Sequence, residues 1–231
     1  MRFSPTQQQQ MHRVLRLSTG DLVRAFDGLR SDDSVAALAQ EDDALVGVVV
    51  GSAECAPEPT LNVHAYPAVL PRDRYELVLR QLVEVGAASI TPLVTERCVA
   101  TIGDEWERRR PRWERILVEA AEQSERARVP LLREPAQLGR ALASAAALGP
   151  VIVADPRHES AIPFSRLRER VGTPGTISLF VGPEGGFSRD EVGGALRAGA
   201  RLAFAGRTVL RAETASPVLA ALLLHALARD G

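Results

Sequence analysis

The chain reads as an α/β protein, a mainly parallel sheet covered by helices on both faces, preceded by a β-rich segment with the texture of a small antiparallel barrel. Three observations predict this. Beyond residue 150, β-like runs (Val151–Ala154, Ile177–Val181, Leu202–Ala205) alternate with helical ones (Ser188–Ala198, Ala215–Arg229), as in parallel sheets with helical crossovers. Before about residue 68, short strand candidates follow one another closely, as in small barrels. Between strand and helix lies Phe180-Val-Gly-Pro-Glu-Gly-Gly-Phe187, a glycine-rich loop at the strand end where open α/β sheets bind ligands.

Taken in order, Leu22–Phe26 is a strand ending in the turn signal Asp27-Gly28. Val35–Ala39, Leu45–Val50 and Leu61–Tyr66 are further strands of the same segment, and Pro67 and Pro71 mark its boundary. From Arg72 the period changes. Tyr75, Val78, Leu79 and Leu82 fall at i, i+3, i+4 and i+7, with Gly86 as a stop. Ser89–Val94 reads as a strand, Trp113–Arg128 as a long amphipathic helix between Pro111 and Pro130, and Gln137–Leu148 as an Ala-rich helix.

Bulk properties narrow the function. The 231 residues suffice for one large core or two smaller ones. A net charge of -1 gives no overall field toward nucleic acid or membrane, so an anionic partner needs a local patch. All basic residues are arginine, whose planar fork suits phosphate and carboxylate. Cys55 and Cys98 have no metal-type spacing and read as reduced thiols of a cytoplasmic protein. No apolar run reaches membrane-spanning length. His12, His64, His158 and His225 form no constellation, and no metal is expected.

The glycine loop has a local logic. Ser188 and Glu191 have the spacing of a capping box. The helix entry is then satisfied internally, which weakens a phosphate-loop reading. A tight strand-to-helix turn would use the same residues. The second loop, Gly206-Arg-Thr-Val-Leu-Arg211-Ala-Glu-Thr-Ala215, places apolar Val209 and Leu210 between arginines, a setting suited to a flat heterocycle with an anionic neighbour. Arg211 and Glu213 also fit a solvated pair at a helix start.

Taken together, FVGPEGGFSRDEV (180–192) and GRTVLRAETA (206–215) resemble the bacterial 16S ribosomal RNA uridine-N3 methyltransferases, the RsmE family of the SPOUT class. Arg13-Val-Leu-Arg-Leu17 with Phe26-Asp-Gly28, Leu82–Gly86 with Ile90–Cys98, and Trp113–Pro130 are similar to further family segments in the same order. The chain departs from the family at Thr208 and Gln81, where many relatives carry arginine and lysine.

The resemblance implies a PUA-like RNA-binding barrel over 1–68 and a trefoil-knot methyltransferase domain over 69–231. S-adenosylmethionine would be held by Ala154, Phe180, Val181, Gly182, Pro183, Gly185, Gly186, Ala205, Gly206, Val209 and Leu210. Arg211, Glu184 and Glu213 are the candidates for handling the uracil N3 proton or the charge it leaves. Arg13, Arg16, Arg72 and Arg97 would position RNA. The expected partners are 16S ribosomal RNA of the small subunit and a second copy of the chain. A knotted enzyme acting on another RNA or atom, and a non-catalytic RNA-binding or ribosome-assembly protein, are the competing readings; the intact glycine loop favours catalysis. The run Arg108–Arg110 with Arg112, interleaved with glutamates, reads as a solvated helix flank.

Overall fold

A computed structural model describes residues 1–26, 32–42, 44–54, 58–100, 102–206 and 208–227. Two compact units emerge, residues 1–57 with Glu125–Arg128, and residues 58–124 with 129–231. The predicted turn at Asp27-Gly28, Cys55 and Arg207 lie outside the described residues.

The first unit opens with a helix that its polar sequence did not suggest, α1 (Pro5–Arg13). Ser4 Oγ accepts from the Gln7 N–H, and the Gln7 side chain accepts from the Ser4 N–H, closing a capping box with Pro5 at the first helical position. The sheet is antiparallel, β1 (Leu22–Ala25), β2 (Asp32–Glu41) and β3 (Ala44–Glu54), with a register shift between Val35 and Ala36. Its buried apolar side chains, among the described residues, are Ala36, Leu38 and Leu45. Gly47 sits in close quarters: an added Cβ would lie 2.8 Å from Met1 Cγ, 3.0 Å from Phe3 Cζ and 3.1 Å from Ala36 Cβ, so these side chains would have to shift.

The second unit runs β4 (Asn62–Pro67), α2 (Arg72–Glu84), β5 (Ser89–Ile90), β6 (Leu93–Val94), α3 (Trp106–Gln123), β7 (Leu131–Leu132) and β8 (Ala136–Gln137). It continues through α4 (Leu138–Ala146), β9 (Val151–Ala154), β10 (Ile162–Pro163), α5 (Leu167–Val171), β11 (Thr176–Val181), α6 (Arg189–Arg197), β12 (Arg201–Phe204) and α7 (Ala212–Leu227). Seven strands form one parallel sheet in the order β10-β12-β9-β11-β4-β5-β7. Ile152, Val153, Ile177, Leu179 and Phe180 are at most 1 % exposed. Such unbroken apolar runs belong to parallel strands covered on both faces. The Phe180 ring stacks on Tyr66 with centroids 4.2 Å apart.

Three expectations are corrected. Leu61–Tyr66 does not belong with the N-terminal strands: β4 pairs with β11 in the parallel sheet, and the units divide at 57/58 rather than 68. The apolar burial of Val63 and Ala65 is what places it there. Helix α3 starts seven residues earlier than Trp113 and passes through Pro111, because Trp106 and Trp113 share its buried face two turns apart. It stops at Gln123, where Ser124 Oγ donates to the Ala120 carbonyl and Glu125 takes a positive φ. The predicted strand Ser89–Val94 is two short strands in different sheets. No described helix is long and apolar enough to cross a membrane.

Candidate active site

Adjacent strands β12, β9 and β11 are in register at their carboxyl ends, with Val181 opposite Ala154 and Ala154 opposite Ala203. The glycine loop and the second loop singled out from the sequence, together with the turn that follows Ala154, therefore leave one edge of one sheet side by side. Asp155 closes the end of β9 by donating its N–H to the Ala203 carbonyl at 3.1 Å.

The glycine loop is held from both ends. Gly186 takes φ +67° and donates its N–H to the Pro183 carbonyl at 2.8 Å. Pro183 and Phe187 are buried, whereas Glu184 and Gly185 are exposed. A Cβ on Gly182 would sit 3.2 Å from the Phe187 ring. The capping box forms as the spacing predicts: Ser188 Oγ accepts from the Glu191 N–H at 3.3 Å, and Glu191 Oε2 accepts from the Ser188 N–H at 2.8 Å. The other Glu191 oxygen accepts from the Glu96 N–H at 2.8 Å.

Arg97, exposed and expected to position RNA, also grips this loop, donating to the carbonyls of Gly185 (2.9 Å) and Phe187 (3.2 Å). Glu184 is likewise engaged, its carboxylate 2.7 Å from the Arg74 guanidinium of α2. The sequence reading missed Arg74 and saw Glu191 only as a cap; neither residue's neighbours along the chain point to a partner about a hundred positions away.

The loop after β12 contrasts with it. Ala205, Gly206, Thr208 and Arg211 are exposed, Val209 is 61 % exposed and Leu210 half-buried. Its attachment is to α7, where the Arg211 carbonyl accepts from the N–H groups of Thr214 and Ala215. In the first turn of α7, Glu213 Oε2 is buried with no hydrogen-bond partner among the described residues. Of the remaining candidates, Ala154 is half-buried, Phe180 and Val181 are buried in β11, and Arg72 pairs with Glu76 at 3.5 Å. Arg13 and Arg16 lie in the other compact unit, with Arg16 at φ +55°. In β4, next to β5, His64 Nδ1 lies 2.6 Å from Ser89 Oγ, and burial, then the nearby Arg133, lower its pKa.

Residues 56–224 match the model of the RNA methyltransferase domain. The chain belongs to this family. It is 32 % identical over 222 residues to ribosomal RNA small subunit methyltransferase E of Synechocystis, covering 94 % of this chain and 70 % of the relative. To the enzyme of the same name from Mycobacterium bovis it is 35 % identical over 170 residues, 69 % of this chain and 60 % of that relative. Two solved structures share the family fold. One, from Legionella pneumophila, described as a methyltransferase with bound cofactor SAM, matches with TM-score 0.85 and 28 % identity over 98 % of this chain and 90 % of that one. The other, ribosomal RNA small subunit methyltransferase E from Neisseria gonorrhoeae bound to S-adenosyl methionine, matches with TM-score 0.84 and 25 % identity over 96 % and 90 %.

Proposed function

We propose that this family member methylates N3 of a uracil in 16S ribosomal RNA, near the decoding region of the small subunit, using S-adenosylmethionine. One observation carries the reading: the three loops of the family motifs leave the carboxyl edge of three adjacent parallel strands. The loops suit that cofactor in kind. Gly206 is exposed and offers backbone with open space where a Cβ would stand, and Val209 and Leu210 offer apolar surface to a flat base. The sheet domain takes the trefoil-knot form of the SPOUT class, the N-terminal unit is a PUA-like barrel that helps hold RNA, and the enzyme works in the cytoplasm as a homodimer.

When bound, S-adenosylmethionine supplies an electrophilic methyl group on a sulfonium. The chain's own task is to align uracil N3 with that methyl and remove the N3 proton. Paired uracil hides N3, so the base must be unpaired or flipped out. Alignment supplies much of the rate. Glu213 accepts the proton; its buried, unpartnered oxygen supports this role over Glu184, which is occupied by Arg74. Arg211 offsets the charge left on O2 or O4.

The experiment is mass analysis of small-subunit RNA from a strain lacking the gene. N3-methyluridine should disappear from that RNA, and its persistence would overturn the substrate assignment. Calorimetry with S-adenosylmethionine tests the class, since no binding at millimolar ligand would exclude an enzyme that uses it.

A further inference from the structure

The arginine run of α3 is not merely a solvated flank. Arg108, Arg109 and Arg112 meet Arg72 of α2 around a cavity of about 120 Å³ floored by Trp113. Four arginine side chains line it together with Glu76 and Trp113, and two carboxylates serve these arginines, Glu76 in the lining and Glu105 beside it. The Glu76 carboxylate is occupied. Arg112 donates to both of its oxygens at 2.6 Å, and Arg72 reaches it at 3.5 Å. The Arg112 guanidinium accordingly holds the Glu76 carboxyl below its ordinary value.

One further feature marks a site for an anion. Arg109 pairs with Glu105 through Nη2, while its Nη1 is buried with no hydrogen-bond partner among the described residues. Arg108 also pairs with Glu105, at 3.0 Å. A buried guanidinium N–H without an acceptor is costly and calls for one. The cavity is too small for a nucleotide base with its sugar but has room for a phosphate-sized group. The open fork edge of Arg109 at its side matches phosphate oxygens.

We propose that this cavity holds one backbone phosphate of the RNA substrate. The inference rests on the reading of the protein as an RNA methyltransferase. Helix α2 supplies the link to the glycine loop: Arg72 lines the cavity while Arg74, in the same turn, binds Glu184. A strand pinned here is guided toward the glycine-loop edge of the sheet. The contact carries affinity and no sequence choice.

The test uses the full chain and RNA from small subunits that lack the modification, titrated at several salt concentrations. Arg109→Gln should bind this RNA roughly tenfold more weakly, with a log affinity versus log salt slope shallower by about 0.7 to 0.9. An unrelated RNA of equal length should lose as much, S-adenosylmethionine affinity should be unchanged, and Arg109→Lys should recover part of the loss. Of the two tryptophans, Trp113 lines the cavity and Trp106 packs edge-on against Trp113 with ring centroids 6.1 Å apart, so tryptophan fluorescence reports occupancy. Inorganic phosphate should shift it in the native protein but not in Arg109→Gln, and RNA should displace the phosphate. An unchanged RNA affinity and salt slope in a folded Arg109→Gln protein overturns the proposal. So does phosphate binding that RNA leaves undisturbed, which would make the cavity a site for a free anion. Either result, obtained with a native protein that still methylates small-subunit RNA, leaves the enzymatic reading standing. Failure of the native protein to methylate would instead sink that reading.

Discussion

The loops after β11 and β12 leave strands on either side of β9, yet the chain secures them in opposite ways. The glycine loop is clamped: Arg97 holds two of its carbonyls, Glu191 ties its exit to the backbone of Glu96, and Arg74 holds Glu184. The loop after β12 presents Val209 outward, and among its described residues the backbone bonds that fasten it are those where it enters α7. One wall of the candidate pocket is formed in advance, and the other has apolar surface still to be covered. Ordering done before binding is not charged against affinity later. The clamped wall should therefore set geometry, while the open wall gains by burying surface.

The largest effect should come from releasing the clamp. Arg97→Ala removes two charge-assisted hydrogen bonds, and S-adenosylmethionine affinity by calorimetry should fall roughly tenfold or more. A folded Arg97→Ala protein that binds as well as the native one would show that the clamp is not needed. Next come the glycines inside it. Gly186→Ala places a Cβ at φ +67° and should lower unfolding stability by about 1 kcal/mol in a denaturant titration. Gly185→Ala should be milder, since its Cβ would meet Arg97 at 3.4 Å, an ordinary contact. Gly185→Val should push Arg97 aside and approach the Arg97→Ala phenotype.

The open wall should answer differently. Val209→Ala should leave unfolding stability within about 0.5 kcal/mol while weakening the cofactor a few-fold. A clear loss of stability there would mean that Val209 is already packed in the free protein. The smallest effect should be on pH dependence. Because the pKa of His64 is lowered on folding, the unfolded chain binds its proton more readily. Its contribution is complete above the ordinary value of 6.5 and is lost as pH falls through the folded one. The acid limb of stability should be shallower in His64→Gln, and an identical limb would remove His64 from the account.

Much of the α/β unit was legible because its strands announce themselves. Apolar runs such as Ile177–Val181 admit few other fates, and the Ser188–Glu191 spacing carries its own hydrogen-bond logic. That the glycine loop and the 206–215 loop follow strands was also legible, because strand ends are where such loops occur; that the turn after Ala154 joins them was implied only by the family resemblance. Partnerships across the chain were not. Nothing near Arg97 says that its fork closes on Gly185 and Phe187, and nothing near Arg109 says that α2 brings Arg72 opposite it. Leu61–Tyr66 was misplaced because a short strand after other short strands gives no local hint of which sheet it joins. Helix α1 was missed because its polar sequence lacks an apolar period, and only the Ser4–Gln7 cap marks it.

The position of β11 between β9 and β4 has a kinetic consequence. Asn62 and Gly175, bonded at the start of that pair, are 113 positions apart in the chain. The sheet's central pairing must wait until the intervening helices and strands exist, so the entropy of closing a long loop falls early in folding and its reward comes late. Refolding from denaturant should be slow for a protein of this size. During synthesis, the edge of β4 that awaits β11 stays unpaired until about four fifths of the chain has been made, an interval in which it is exposed to association with other chains.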